Sequence, residues 1–248
     1  LWDLSLTEEQ SAQYQGEDAP NYVAMNMILG GAVSLIEDGC KVINLSNGQS
    51  GCYTMYIDNE TGEEKYKLNT DLADLDMTKE AWMQRWSSFN YSKNISYYFL
   101  PLLENGYDFV LVQAAGNGDS NHVSIDASMN GWFTWITLNR DDIVQSEHYS
   151  SVDLYNRIIV VGSAQPDGKG GYIQAADSNA GSRVDICAPG ADIYSTAVNN
   201  TYTFDSGTSF AAPIVSGVAG LVWAANPDLT GEQVKSIICY EDTHTDIV

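Results

Sequence analysis

From Asn21 to Asp38 the apolar residues Val23, Met27, Ile28, Val33, Leu35 and Ile36 recur among small ones, and Gly39 follows directly. That pattern predicts a helix with a glycine stop. Lys41-Val42-Ile43-Asn44-Leu45-Ser46 is short, partly β-branched and bounded by Asn47-Gly48, so the helix feeds a strand. The pair recurs: Ile95 to Glu104, with Leu100, Leu102 and Leu103 ending at Gly106, leads into Phe109-Val110-Leu111-Val112 and then Ala114-Ala115-Gly116-Asn117. Further strands are expected at Arg157 to Gly162 and Val184 to Cys187. Repeated helix-then-strand units whose strands are apolar on both faces predict an α/β fold, a parallel sheet flanked by helices. Cys52 to Tyr91 and Asp119 to Asn156 are polar, aromatic and poorly periodic. They are expected as surface insertions near 52–91 and 119–156 of one incomplete domain over 1–248.

With 248 residues and 44% apolar content the chain can bury a sizeable core. Its 33 acidic against 11 basic residues give a net charge of −22, which works against nucleic acid and anionic membrane surfaces as partners. The acidity reads either as a soluble surface or as carboxylates gathered around Ca²⁺. Asp58, Glu60, Glu63 and Glu64 cluster around Gly62, and Asp71, Asp74 and Asp76 follow, but neither run has the spacing of an EF-hand loop, so no calcium ligand is assigned. Cys40, Cys52, Cys187 and Cys239 fall in no metal-ligand spacing and read as buried thiols or at most one bridge. No apolar run is expected to reach bilayer-spanning length. The chain starts at Leu1 rather than Met and ends at Val248 just after a helical pattern, and both ends are expected to be cuts in something longer.

Gly207-Thr208-Ser209-Phe210-Ala211-Ala212-Pro213 opens a stretch rich in Ala, Gly and Val with no charge until Asp228, which predicts a buried helix. Thr208 is expected to cap its first turn, leaving Ser209 among free N–H groups at the positive end of the dipole. An alkoxide or tetrahedral oxyanion is stabilised at such a place. Pro213 has no N–H for the Ser209 carbonyl, so distortion is expected at the serine. Asn117, on a Gly116/Gly118 loop after a buried strand, can aim an amide N–H into a cleft. Taken alone, Gly-Thr-Ser would mark a serine that only caps a helix, and Gly-Asn-Gly a turn.

The seven-residue string resembles the nucleophile signature of the subtilisin-like serine proteases, with Phe210 where Met is more usual. Three more stretches fall in that family's order. Val42-Ile43-Asn44-Leu45-Ser46-Asn47-Gly48 is similar to its substrate-aligning strand, and Ala114-Ala115-Gly116-Asn117 to its oxyanion-hole loop. Ala188-Pro189-Gly190, followed by Ile193-Tyr194-Ser195-Thr196, is similar to the segment before the serine. The resemblance implies a subtilisin-like fold and a serine endopeptidase that works through an acyl-enzyme on Ser209, with Asn117 in the oxyanion hole. It also implies that Ser46, Asn47 and Gly48 pair with extended substrate backbone and that Ala114, Ala115 and Gly116 wall the primary specificity pocket. Asn47 stands where the family more often has Leu, Phe or Trp. A secreted or cell-surface location follows from the same analogy, and four glycosylation-type triplets, at Asn59, Asn90, Asn94 and Asn199, are present.

A serine nucleophile needs a base and a carboxylate to orient it. In the resembling family both precede the substrate-aligning strand. Here His122, His148 and His244 all follow it, none is followed by Gly, and Asp3 lacks the family's Asp-Thr-Gly or Asp-Ser-Gly setting. The triad is therefore expected to be completed by a companion N-terminal segment carrying Asp and His, and the chain alone is expected to be inactive and to expose an uncovered sheet edge. The alternative is a non-catalytic pseudoprotease that holds an extended peptide without cutting it.

Overall fold

The structure, a computed structural model, describes residues 19–46, 53–57, 61, 64–68, 77–78, 91–118, 146–181 and 184–240. Helix α1 (Ala19–Glu37) leads into strand β1 (Val42–Leu45), and helix α2 (Tyr91–Glu104) leads into β5 (Val110–Ala114). Both helices stop by the same local device. Gly39 (φ 95°) and Gly106 (φ 82°) take left-handed backbone. The next residue then bonds back across the last turn, Cys40 N–H to Leu35 O and Tyr107 N–H to Leu102 O. Between these two units the first insertion holds an antiparallel meander of β2 (Tyr53–Ile57), β3 (Glu64–Leu68) and β4 (Met77–Thr78), more regular than its sequence pattern suggests.

After a short helix α3 (Ser151–Tyr155), strand β6 (Ile158–Pro166) pairs with β5 on one side. On its other side it pairs with β8 (Ile186–Pro189), and beyond the end of β5, on the β5 side, its far end pairs with β7 (Tyr172–Gln174). The pairs β1/β5, β5/β6 and β6/β8 are parallel; β7 is antiparallel. A hairpin of β9 (Ile193–Ala197) and β10 (Thr201–Asp205) precedes helices α4 (Thr208–Ala225) and α5 (Gly231–Cys239). The expected parallel sheet is thus present, with β6 reaching four residues past Gly162 and the last parallel strand starting at Ile186 rather than Val184.

Both faces of the sheet are covered, as its doubly apolar strands require. Leu29, Ile36, Phe99, Leu103, Phe109, Leu111 and Val160 form one core with α1 and α2. Val110, Val112, Ile159 and Val161 turn the other way, against Ala211, Val215, Ala219 and Trp223 of α4. Helix α5 is tied to the sheet by Lys235, buried, whose Nζ lies 3.1 Å from Asp185 and donates 2.6 Å to Ile158 O.

Three expectations need correction. Helix α4 is buried on its sheet side only: Ile214, Val218 and Leu221 are exposed, Leu221 by 71%. It is also long and apolar enough, at 18 residues, to pass the length and composition test for a membrane span. Only its sheet-facing side, with Ala211, Val215, Ala219 and Trp223, packs into the core. The cysteines are not the buried thiols expected: Cys40 is exposed and Cys187 and Cys239 half-buried, all three free, and Cys52 lies outside the described residues.

Candidate active site

The parallel strands deliver their C-terminal ends to one edge of the sheet, where Ser46, the loop Ala115–Gly118 and Gly190 emerge. The N-terminus of α4 meets them there. Gly207, at φ 145°, is the residue that caps it, and its N–H donates 2.7 Å to Gly190 O. Thr208 is therefore not the cap. Its hydroxyl instead accepts from Gly116 N–H at 3.0 Å and donates to Asn117 Oδ1 at 2.8 Å. The Thr208 backbone N–H donates to the same oxygen at 2.8 Å. A backbone N–H can only donate, so the Asn117 amide has one orientation: oxygen toward Thr208, Nδ2 facing Gly207.

Ser209, half-buried, sits one residue further along the helix. Its Oγ donates 2.7 Å to the backbone O of Ser46, and Ser46 Oγ donates 2.9 Å to the backbone O of Ser209. The second bond answers the proline. Pro213 cannot donate to the Ser209 carbonyl, and Ser46 supplies the missing donor, so the helix runs unbroken from Thr208 to Ala225. Ser46 is itself set by Asn44 Nδ2 at 2.8 Å, and Asn44 Oδ1 accepts from Ser216 at 3.0 Å. A backbone carbonyl is too weak a base to take the serine proton, so this contact leaves Ser209 un-ionised.

The other expected site residues are distributed as follows. Asn47 and Gly48 lie outside the described residues. Ala114 and Ala115 are fully buried with their side chains in opposite cores, so only their main chain reaches the edge. Gly116 (φ 100°) and Gly118 (φ 75°) make the turn that carries Asn117. His122 and His244 lie outside the described residues, as do all the acidic residues of the run at 58–76 except Glu64. Among the described residues no three metal-ligating side chains gather.

His148 is at the wrong end of the sheet. Helix α2 runs back along β5, so its last residue Glu104 lies at the strand's starting end, whereas Asn117 follows its finishing end. His148 Nδ1 is 2.9 Å from Glu104 Oε2, and its side chain is 72% exposed. The Ser146 hydroxyl and then the His148 N–H hold Glu104 at about 2, down from 4.5.

Sequence reasoning missed Asn179. This buried residue donates Nδ2–H to Ala115 O at 2.9 Å and its backbone N–H to Gly116 O at 3.0 Å, and its Oδ1 accepts Gly118 N–H at 2.9 Å. Its only mark in the sequence is a polar triplet, Asp177-Ser178-Asn179, between two apolar strands.

A family model described as the subtilase family matches residues 11–244. Subtilisin-like protease 3 of Plasmodium falciparum (isolate 3D7) is 34% identical over 137 residues, 53% of this chain and 17% of that protein. Subtilisin DY of Bacillus licheniformis is 37% identical over 82 residues, 33% of this chain and 28% of that protein. The chain therefore spans only a minor part of these curated relatives. A cold adapted subtilisin-like serine proteinase of known crystal structure aligns over 88% of this chain and 56% of its own, with a TM-score of 0.50 at 19% identity, a likeness of fold.

Proposed function

This chain belongs to the subtilase family, and from that premise we propose that it is the nucleophile-bearing part of a serine endopeptidase. Ser209 Oγ attacks the peptide carbonyl carbon while an imidazole takes its proton. The negative oxygen of the tetrahedral intermediate is met by Asn117 Nδ2 and the Ser209 N–H in the first turn of α4. Collapse expels the amine, which leaves with the proton, and water then releases the acyl group from Ser209. Extended substrate backbone lies along Ser46, Asn47 and Gly48, with the Ala114–Gly116 main chain bordering the primary pocket. The single observation that carries this reading is the fixed Asn117 amide, its oxygen engaged by Thr208 and its Nδ2 turned to the Gly207–Ser209 turn.

The Asp and His of the triad are supplied by a companion N-terminal segment. Two features support it. Among the described residues β1 pairs only with β5, so its outer edge is open to another strand. Next to it, the outer face of α4 leaves Ile214, Val218 and Leu221 exposed among the described residues. Without that segment, turnover is absent or nearly so. Kinship with the subtilases also underlies a secreted or cell-surface location.

The test is a fluorophosphonate probe applied to the chain alone and to the longer polypeptide that includes the companion segment. Labelling of the longer form that Ser209→Ala removes, with little labelling of the chain alone, is the expected result. A longer form that binds peptides tightly but neither labels nor cuts would favour the pseudoprotease instead.

A further inference from the structure

We propose that Asn179 is a positioning residue that clamps the oxyanion-hole loop, fixing where Asn117 presents its amide without itself touching substrate. The inference rests on the endopeptidase reading for its kinetic consequence, but the clamp is a structural feature in its own right.

The need for a clamp follows from how β5 ends. Ala115 N–H to Val161 O, at 2.9 Å, is the last ladder bond. Beyond it the chain turns through Gly116 and Gly118, both at positive φ, so the residue between them stands on the two least restricted backbone positions available. Thr208 fixes the rotation of the Asn117 amide and, through the Gly116 N–H, the backbone before it, but it makes no bond to the Gly118 side of the turn. Asn179 supplies that second constraint. Three of its hydrogen bonds bracket Asn117, two to carbonyls on the near side and one from the N–H on the far side. The clamp is anchored in turn: Ser178 Oγ accepts Ser163 N–H of β6 at 2.8 Å and donates to Asn179 O at 3.0 Å. Donor and acceptor at one short side-chain end are both required, which a primary amide provides. A carboxylate of the same shape would keep the bond from Gly118 and set an oxygen against Ala115 O.

A purely structural Asn179 would lower stability and leave the catalytic constants alone, so the measurement must separate the two. In the complete enzyme, Asn179→Ala and the isosteric Asn179→Asp are expected to lose about tenfold or more in kcat with KM nearly unchanged, since sub-ångström misplacement of an oxyanion donor acts in the transition state. Because Asn179 acts through Asn117, adding Asn179→Ala to Asn117→Ala should cost little further kcat. Equal multiplicative losses in both backgrounds, or a kcat unchanged while the melting temperature falls, would overturn the proposal. Hydrogen exchange at the Gly118 amide reads the clamp without turnover. Selective loss of protection there in Asn179→Ala, with β5 amides still protected, is expected; unchanged protection at Gly118 overturns the clamp. If the unsubstituted enzyme shows no turnover, that result counts against the endopeptidase reading alone, and the exchange measurement decides the clamp.

Discussion

Gly207→Ala tests the site at the point where backbone and chemistry meet. Gly207 has φ 145° and ψ 163°, a conformation essentially restricted to glycine, and holding alanine there costs about 1–3 kcal/mol. The added methyl also has nowhere to go. A Cβ would stand 2.9 Å from Asn117 Nδ2, 3.3 Å from Oδ1 and 3.4 Å from Cγ. To restore ordinary contact the amide must retreat by about half an ångström. Since an oxyanion donor works only within about 2.7–3.1 Å of the developing charge, such a shift forfeits a large part of its bond. Complete loss of this donor costs roughly 3–4 kcal/mol, a magnitude taken from subtilisin, itself a subtilase. Gly207→Ala should therefore lower kcat by roughly tenfold to a hundredfold, with little effect on KM. Steady-state kinetics on the complete enzyme, paired with a thermal melt, measures both parts. A lowered melting temperature with kcat intact would refute the claim that Gly207 makes room for a catalytic amide.

Two further outcomes follow from groups away from the serine. Lys235→Met should destabilise the fold by about 3–5 kcal/mol, because it strands buried Asp185 and removes a donor from Ile158 O; a chemical melt within 1 kcal/mol of the parent would refute this. Glu104 titrates lower in the folded chain than its ordinary 4.5, so its hold on Ser146 and His148 is complete above about 4.5 and lost as pH falls toward about 2; exchange at the His148 amide that is already fast at pH 5 would contradict the contact.

What the sequence could disclose was decided by range. The helix stops at Gly39 and Gly106 and the two-faced strands at β1, β5 and β6 rest on neighbours within a few residues, and they were legible. Thr208 was misread for the same reason. A hydroxyl at a helix start is locally a cap, but Gly207 fills that place and Thr208 reaches Gly116, which lies 92 residues earlier. Asn179 was invisible because its partners Ala115 and Gly118 are 64 and 61 residues away, and a buried polar side chain leaves no period. The exposed half of α4 was also misjudged. Composition gives the polarity of a helix on all sides, whereas burial depends on which neighbour is present to cover each side.

Pro213 shows how a local rule can be right in its premise and incomplete in its consequence. The missing N–H does orphan the Ser209 carbonyl, as the rule requires. The chain resolves it by bringing the end of β1 against the first turn of α4, so that Ser46 Oγ donates to Ser209 O while Ser46 O accepts from Ser209 Oγ. One residue thus meets both a stability demand and a chemical one. The reciprocal pair locks the Ser209 backbone at the strand end and holds its hydroxyl on an acceptor that cannot ionise it. On the proposed reading, an arriving imidazole must draw that proton away from Ser46 O, which frees the same carbonyl for the extended substrate backbone. Activation of the nucleophile and opening of a substrate contact would then be a single exchange of acceptors at Ser46, with no movement of the sheet or helix that carry them.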